Sequence, residues 1–263
     1  MFNKTSFFNI GSLKDKYKGS SCYLFGDGIS IKWFDFSHFI DMTSIPVGAL
    51  CFHNEVHKLD ITYNVLIEPL WFFPFIRYPT ANGKIIKNPI QSKYKREIKN
   101  NPGRTVLISW SNFPTTFWYN NIFYVHKKFT FKEFNGHYLF NNYNCFTGSF
   151  RFGISLAIYM GFKTIYLIGF DYTHSPARVK HWYEKGQGVI KHNKYKDYDK
   201  DFIKVARKYA DIITITLDGK SRHLDYITYK DFTGKDPVYR ENMEIVNPEY
   251  LKVLSSWPGY TIY

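Results

Sequence analysis

The chain is poor in cysteine, with Cys22, Cys51 and Cys145 the only three among 263 residues and no Cys-x-x-Cys pair. This excludes a disulfide framework and offers no zinc-ligand spacing, so we interpret all three as reduced core thiols of a cytoplasmic protein. No apolar run approaches the roughly 20 residues that cross a bilayer, and the first residues lack a signal-peptide core. Repeats, low-complexity tracts and Pro/Gly/Ser-rich linkers are also missing, which predicts a single domain over residues 1–263.

Two familiar phosphate-binding motifs are absent as well: there is no G-x-G-x-x-G fingerprint and no Walker loop. Positive charge and aromatic residues are abundant instead. The 35 Lys and Arg against 22 Asp and Glu give a net charge of +13, and 20% of the residues are aromatic. The aromatic content argues against disorder. The charge predicts an acidic partner, such as a phosphorylated sugar, a nucleotide, an anionic lipid surface or a nucleic acid.

Residues 147–172 carry the clearest local pattern. A polar N-cap sequence at 147–149 precedes an apolar run at 150–160, which predicts a buried helix closed by Gly161. The run at 165–168 predicts a buried strand that ends at Asp171. A helix N-terminus can bind a phosphate, and open α/β sheets bind ligands at the carboxyl ends of their strands. The alternative is an ordinary helix–strand unit with no bound anion.

Strand-like and helix-like segments alternate along the whole chain. They predict strands at residues 21–25, 47–52, 63–67, 105–110, 122–126, 165–168 and 211–217, and helices near 31–39, 92–99, 150–160, 201–209 and 248–255. This alternation predicts an α/β fold with a Rossmann-like, mainly parallel sheet flanked by helices. Three early strands are followed by Asp27, Asn54 and Glu68, which would converge on one crevice of such a sheet.

A polar stretch at residues 173–200 has little hydrophobic periodicity, and we interpret it as a lid loop. It contains His174, His181 and His192, and histidine is the side chain best suited to accept a proton at neutral pH. Its lysines and arginines, Arg178 among them, either neutralise an acidic substrate or form a solvated basic loop. The aromatic segment 69–77 predicts core packing or a subunit contact.

Residues 21–36 (SCYLFGDGISIKWFDF) resemble the strand–GNGPSL–helix opening of the bacterial lipooligosaccharide sialyltransferases of glycosyltransferase family 42. Residues 65–72 (VLIEPLWF) resemble that family's third strand, and residues 147–172 resemble its Thr-Ser-Gly helix and following strand. The same pattern occurs in the MptE-like family, which includes pterin diphosphokinases and motility-associated glycosyltransferases. The likeness spans roughly the first 220 residues, and its specific part is the segment 161–171.

The resemblance implies a GT-A variant of the Rossmann-like fold and an inverting, metal-independent transferase with no cofactor. Its donor would be a CMP-activated acidic sugar, namely sialic acid or a related nonulosonate or Kdo. The acceptor would be a surface glycan or glycolipid such as a lipooligosaccharide precursor. Family precedent implies a homo-oligomer. The charge fits peripheral contact with the anionic inner membrane, and nucleic acid is not expected because no binding-module signature is present.

The resemblance also implies site residues. The donor nucleotide and phosphate would be bound by Gly26, Asp27, Gly28, Ser30, Asn54, Glu68, Thr147, Gly148, Ser149 and Asp171. His181 or His192 would act as the general base. Tyr172 would bind the leaving phosphate, because Thr173 stands where the family has a tyrosine.

Asp27 and Glu68 depart from the family pattern, which has asparagines there. Two carboxylates near a phosphate repel it unless they bind ribose hydroxyls or carry protons. An MptE-like diphosphokinase acting on a pterin-like substrate is therefore an open alternative. It would bind ATP and Mg²⁺, and Asp27, Glu68 and Asp171 would then lie near the metal. Dependence on Mg²⁺ separates the two functions.

Overall fold

The computed structural model describes residues 9–68, 71–73, 77–79, 85–87, 90–125, 127–128, 145–146, 148–191, 199–257 and 259–263. Its main strands, in chain order, are β1 (Ser21–Phe25), β2 (Thr43–Pro46), β3 (Asp60–Ile61), β4 (Tyr63–Leu66), β5 (Thr105–Ser109), β6 (Ile122–Val125), β7 (Thr164–Ile168), β8 (Asp211–Thr216) and β9 (Asp225–Thr228). Its helices are α1 (Gln91–Asn100), α2 (Ser149–Tyr159), α3 (Lys200–Ala206), α4 (Tyr229–Thr233), α5 (Asn242–Ile245) and α6 (Pro248–Leu254).

Six strands form a parallel sheet in the order β9–β8–β7–β1–β2–β3. The chain therefore leaves β1 for β2 on one side and returns to β7 on the other, and this reversal opens a crevice at the carboxyl ends of β1 and β7. The N–H groups of Gly26 and Gly28 donate to the carbonyls of Ile168 and Gly169 at 2.8 and 2.7 Å. A Cβ on Gly28 would lie 2.5 Å from the Gly169 oxygen, so glycine lets the two strand ends close together.

Strands β4, β5 and β6 form a second parallel sheet, which continues the first. Val47 forms a parallel bridge with Val65, and the Gly48 N–H donates to the Val65 carbonyl at 3.0 Å. The carboxyl end of β4, where Glu68 follows, thereby lies beside the end of β2.

Burial on both sheet faces explains why the strands are almost continuously apolar. Successive side chains of β1 point to opposite faces, with Cys22 and Leu24 in one core cluster and Tyr23 and Phe25 in the other. Helix α2 is buried along its entire length and packs in the first cluster. The mixed α/β architecture and the parallel sheet confirm the predicted fold class.

Most predicted strands and helices are present to within a few residues, but the helix expected near 31–39 is not an α-helix. Its place is taken by two 3-10 turns, Ile29–Trp33 and Phe36–His38. Asp35 between them is extended, and its carboxylate accepts the Ser37 N–H at 2.8 Å. The apolar side chains on both sides of this break are fully buried, so they do not form the single stripe of an amphipathic helix.

The strand expected at 47–52 is also wrong: β2 ends at Pro46, and residues 50–52 form a 3-10 turn. Gly48 has φ +108°, and the Ala49 N–H donates to the Asp27 carboxylate rather than to a neighbouring strand. The sequence pattern of this segment describes its burial correctly and its hydrogen bonding incorrectly.

The first part of the predicted lid is structured. Residues 174–175 pair with 220–221, and residues 177–179 pair with 189–191, both antiparallel. Residues 192–198 lie outside the described part of the chain, and a lid motion stays a prediction. Within the described ranges, no helix is long and apolar enough to cross a bilayer.

Candidate active site

Asp27 joins the end of β1 to two other segments. Its carboxylate accepts the Ala49 N–H at 3.0 Å and the indole N–H of Trp182 at 3.1 Å. A Cβ on Gly48 would lie 2.0 Å from an Asp27 oxygen, so only glycine leaves room for this arrangement. Burial raises the pKa of the Asp27 carboxyl, and His181 and the two donors offset part of that rise.

Asp171 plays a similar role at the end of β7. It is 2% exposed and accepts hydrogen bonds from both the N–H and the hydroxyl of Ser30, the N–H at 2.7 Å. His174 Nδ1 lies 3.9 Å from the carboxylate, and its Nε2 is 3.1 Å from the Thr214 hydroxyl. Burial raises the pKa of Asp171 and lowers that of His174, while the attraction between them opposes both shifts.

A cleft of about 700 Å³, which we call the main cleft, opens above these strand ends. It is lined by the glycine turn after β1, the start of α2, the end of β7, residues 178–181 and 184, and the segment 259–261. The crevice predicted from the topology is thus present at the reversal between β1 and β7.

The N-terminus of α2 faces this cleft. Gly148 is its N-cap with φ +96° and no side-chain cap, and the first bond of the helix runs from the Phe152 N–H to the Gly148 carbonyl at 3.1 Å. The N–H groups of Ser149 and Phe150 lie in this first turn, where backbone donors and the positive end of the helix dipole favour an anion. Arg151 is 7% exposed, and its guanidinium donates to the Asp199 carboxylate.

His181 and Glu184 form a close pair on the opposite wall. Nδ1 of His181 lies 3.0 Å from Oε1 of Glu184, which also accepts the His181 N–H at 2.9 Å. Oε2 of Glu184 accepts the Thr261 N–H at 3.3 Å. Burial raises the pKa of Glu184, but the hydrogen bonds from His181 and Thr261 outweigh it and leave the pKa below its usual value. Glu184 is therefore ionised at neutral pH.

Neighbouring aromatic rings fix the plane of the His181 imidazole. The Tyr183 ring stacks on it at 5.0 Å with an interplanar angle of 5°, and the Tyr260 ring meets it edge-on at 5.4 Å. The loop that carries His181 is held by Trp182, which is fully buried. The backbone N–H of Trp182 donates to the backbone carbonyl of Asp27 at 3.2 Å. Because Nδ1 faces Glu184, Nε2 is the imidazole nitrogen left to face a ligand.

A second cavity of about 280 Å³ adjoins the main cleft, and we call it the aromatic chamber. Asp27, Ser149 and His181 line both cavities. The remaining chamber walls are mostly aromatic or aliphatic, with Glu68 as a further carboxylate; the aromatic residues are Trp71, Tyr94, Tyr183, Tyr250, Trp257 and Tyr260. His181 thus stands at the junction of two compartments.

The structure brings together most of the predicted site residues. The main cleft is lined by Gly26, Asp27, Gly28, Gly148, Ser149, Asp171, Tyr172 and His181, and the chamber adds Glu68. Ser30 and Asn54 are not among the described residues that line either cavity. Ser30 lies beneath the cleft on Asp171, and the Asn54 amide donates to the Glu244 carbonyl at 3.0 Å. Thr147 and His192 lie outside the described residues.

Several site residues were not foreseen from the sequence. Glu184 is one, although the i, i+3 spacing from His181 in His-Trp-Tyr-Glu is a local signal for this pair. Arg151 was hidden inside an apolar helix. Trp257, Tyr260 and Thr261 reach the site from a segment that has no motif, so only the three-dimensional structure reveals them.

The three carboxylates proposed to lie near a metal do not form a cation site. Asp171 lines the main cleft, Glu68 lines the chamber, and only Asp27 lines both. Asp27 and Asp171 already accept hydrogen bonds from protein donors. Among the described residues, no three His, Cys, Asp or Glu side chains are placed to hold one ion. These carboxylates therefore do not form an all-protein Mg²⁺ site, and dependence on added Mg²⁺ is the test for a diphosphokinase, whose metal would also be held by the substrate phosphates.

No protein-family model and no curated protein matches this chain. Solved structures that resemble it include the sialyltransferase CST-II in complex with a trisaccharide acceptor and CMP, with 14% identity, TM-score 0.47 and coverage of 87% of this chain and 93% of that one. An α-2,3-sialyltransferase from Campylobacter jejuni in apo form has 13% identity, TM-score 0.45 and 87% coverage of both chains.

The MAf glycosyltransferase from Magnetospirillum magneticum AMB-1 has 12% identity and a TM-score of 0.42, over 94% of this chain and 41% of that one. The structures found therefore come from the same two groups that the sequence resembles. At these identities and TM-scores, such likenesses say nothing about the chemistry of this chain, which has to be inferred from its own site.

Proposed function

We propose that this protein transfers an acidic sugar from a CMP-activated donor to a hydroxyl group of a glycan or glycolipid, with inversion and without a metal ion. One observation carries the proposal: the His181–Glu184 pair stands where a cleft lined by a helix N-terminus and by arginine and lysine side chains meets a separate aromatic chamber. Such a junction lets a base face two substrates at once, with the donor in the cleft and the acceptor in the chamber.

The cleft suits a donor that carries a phosphate and a sugar carboxylate. The first-turn N–H groups of α2 and its dipole favour an anion, and Arg151, Arg178 and Lys180 line the same cleft. These groups stabilise the charge that develops on the leaving phosphate, as a metal ion does in other transferases. Tyr172, in the cleft wall with its ring 5.5 Å from that of Phe150, is positioned to donate to that phosphate.

Asp27 fits this proposal despite its carboxyl group. The glycines on either side let a nucleotide approach the turn closely. Burial raises the pKa of Asp27, and both oxygens accept protein N–H groups. A carboxyl that ionises less readily repels a phosphate less, so Asp27 can lie beside the donor phosphate although the resembling family has an asparagine there.

The reaction is a single displacement. The acceptor hydroxyl loses its proton to Nε2 of His181, and its oxygen forms a bond to the anomeric carbon of the donor sugar. The bond from that carbon to the phosphate oxygen breaks, and CMP leaves with the electron pair. Attack from the face opposite the leaving group inverts the anomeric centre. Glu184 stabilises the imidazolium that forms.

The acceptor's location and the assembly state follow as further proposals. A lipooligosaccharide precursor would be met at the cytoplasmic face of the inner membrane, and the net charge of +13 favours its anionic surface. Vesicle flotation with and without anionic lipid tests the membrane contact. Light scattering tests the homo-oligomer.

CMP release from CMP-sialic acid in the presence of a glycan acceptor tests the proposed function. We expect turnover that EDTA does not abolish and that His181→Asn reduces by about 10²-fold or more, since general base catalysis contributes roughly 10²–10⁴-fold. Failure to bind or turn over any CMP-linked acidic sugar, or complete loss of activity in EDTA, would contradict the proposal.

A further inference from the structure

The aromatic chamber differs in charge from the main cleft. Its described lining includes the carboxylates Asp27 and Glu68 and no lysine or arginine. The described lining of the cleft includes Arg151, Arg178 and Lys180. An anionic ligand therefore finds cations in the cleft, whereas the described lining of the chamber offers it none and adds the like charge of Glu68.

The cleft has carboxylates of its own, but each of them already accepts hydrogen bonds or an ion pair from the protein. The pairs are Asp27 with Ala49 and Trp182, Asp171 with Ser30, Glu184 with His181 and Thr261, and Asp199 with Arg151. Glu68 is exposed, and its side chain has no hydrogen-bond donor among the described residues. Glu68 is thus the carboxylate of the chamber that remains open to a ligand.

The chamber walls suit a single sugar ring. Its volume of about 280 Å³ lies near the lower end of small-molecule sites, roughly 300 Å³. The Tyr183 and Tyr260 rings meet edge to face at 5.2 Å, and Trp257 adds an aromatic surface against which the C–H face of a pyranose can pack. Burial raises the pKa of Tyr94, Tyr183 and Tyr250, so their hydroxyls stay neutral.

We propose that the aromatic chamber binds the terminal pyranose of the acceptor and that this pyranose is uncharged. The inference rests on the proposed function and adds the acceptor class to it. Trp257 supplies the packing surface, and Glu68 excludes acidic sugars and accepts a hydrogen bond from a sugar hydroxyl. The protein consequently adds one acidic sugar and does not extend its own acidic product.

Matched pairs of simple glycosides test the charge preference. The probes are methyl β-galactopyranoside with its uronate, and methyl β-glucopyranoside with its uronate, so each pair differs only at C6. Saturation-transfer NMR on the full chain measures binding without any need for turnover. We expect at least one neutral glycoside to bind at least tenfold more tightly than its uronate and to serve as the better acceptor. Equal or tighter uronate binding, or no binding of any probe, overturns the inference.

Two variants locate the binding. Trp257→Ala should weaken neutral glycoside binding at least fivefold, whereas the matched control Trp118→Ala, at an exposed tryptophan outside the chamber, should not. Glu68→Gln should reduce the ratio of the affinity for the neutral glycoside to the affinity for its uronate at least threefold. A ratio that is unchanged in Glu68→Gln, or equal effects of the two tryptophan substitutions, overturns the inference.

Failure of this inference is distinguishable from failure of the proposed function. CMP release from the donor reports on the cleft and on His181, whereas the glycoside binding that Trp257→Ala weakens reports on the chamber. Donor turnover combined with a preference for acidic acceptors contradicts only the acceptor class. Absence of donor binding contradicts the proposed function itself, whatever the chamber binds.

Discussion

Replacing Glu184 by glutamine removes one charge from the candidate base pair, and the other hydrogen bond that it gives up, from the Thr261 N–H to Oε2 at 3.3 Å, lies outside the pair. Glutamine has the same shape, and its amide oxygen can still accept from His181 Nδ1, which lies 3.0 Å away, and from the His181 N–H at 2.9 Å. The imidazole keeps its orientation because the stacked ring of Tyr183 is unaffected. The variant therefore isolates the electrostatic contribution of the carboxylate.

The size of the effect follows from the distance. Two unit charges about 4 Å apart interact by about 4 kcal/mol at an effective dielectric constant near 20. The His181 side chain is 43% exposed, so solvent screening reduces this to about 1.5 kcal/mol. That free energy corresponds to about a tenfold fall in kcat.

The assay is CMP release at saturating donor and acceptor over a range of pH, with CMP affinity measured separately. CMP affinity should change less than twofold, since the Glu184 carboxylate is already engaged by His181 and by the Thr261 N–H. Glu249→Gln, at a 62% exposed carboxylate on the surface, is the matched control and should behave as the wild type. Nitrogen shifts of the histidine ring report whether Nδ1 carries the proton. An unchanged kcat in Glu184→Gln would refute the role of the pair.

Two further predictions concern stability. Gly48→Ala should lower the free energy of unfolding by about 3 kcal/mol or more, since its Cβ would lie 2.0 Å from an Asp27 oxygen. The control Gly234→Ala, also at positive φ but in open space, should lower it by about 1 kcal/mol. Equal losses of the two variants in denaturant titrations would contradict this prediction. Burial lowers the pKa of His53 to about 3 in the folded protein. Its contribution to stability is therefore fully present above the pKa of histidine in the unfolded chain and is lost as the pH falls from there toward the folded pKa. Between pH 7.5 and 5 the free energy of unfolding of the wild type should fall by roughly 2 kcal/mol through His53, and that of His53→Gln should fall correspondingly less. Parallel plots of unfolding free energy against pH for the two proteins would contradict this.

The sequence was sufficient to predict the sheet and the place of the cleft, because buried parallel strands are apolar runs whose ends carry polar residues. It failed where side chains replace backbone partners. Ala49 donates to Asp27 instead of to a strand, and the Asp35 carboxylate accepts the Ser37 N–H where a helix would continue, so neither segment forms the regular element expected. The hydrogen bond from Ala49 to Asp27 joins residues distant in the chain, and no local pattern encodes it.

The candidate site was predictable only where a motif spans it. The glycine turn, the start of α2 and His181 come from recognisable segments, whereas Thr261 and Trp257 enter from a region without periodicity. The charge difference between the cavities likewise depends on which side chains the fold brings together. Composition alone gives a uniformly basic protein, and only the structure separates a cleft that contains arginine and lysine from a chamber whose described lining contains neither.

The most direct test of the account is thermal stability against CMP, CDP, UDP, GDP and ATP, each with Mg²⁺ or with EDTA. A ligand that binds the folded state raises Tm by an amount set by its affinity and concentration. If the protein is a metal-independent CMP-sugar transferase, CMP should raise Tm equally in Mg²⁺ and in EDTA, and more than the other nucleotides do. A shift with ATP alone, and only in Mg²⁺, would contradict the account and favour a diphosphokinase.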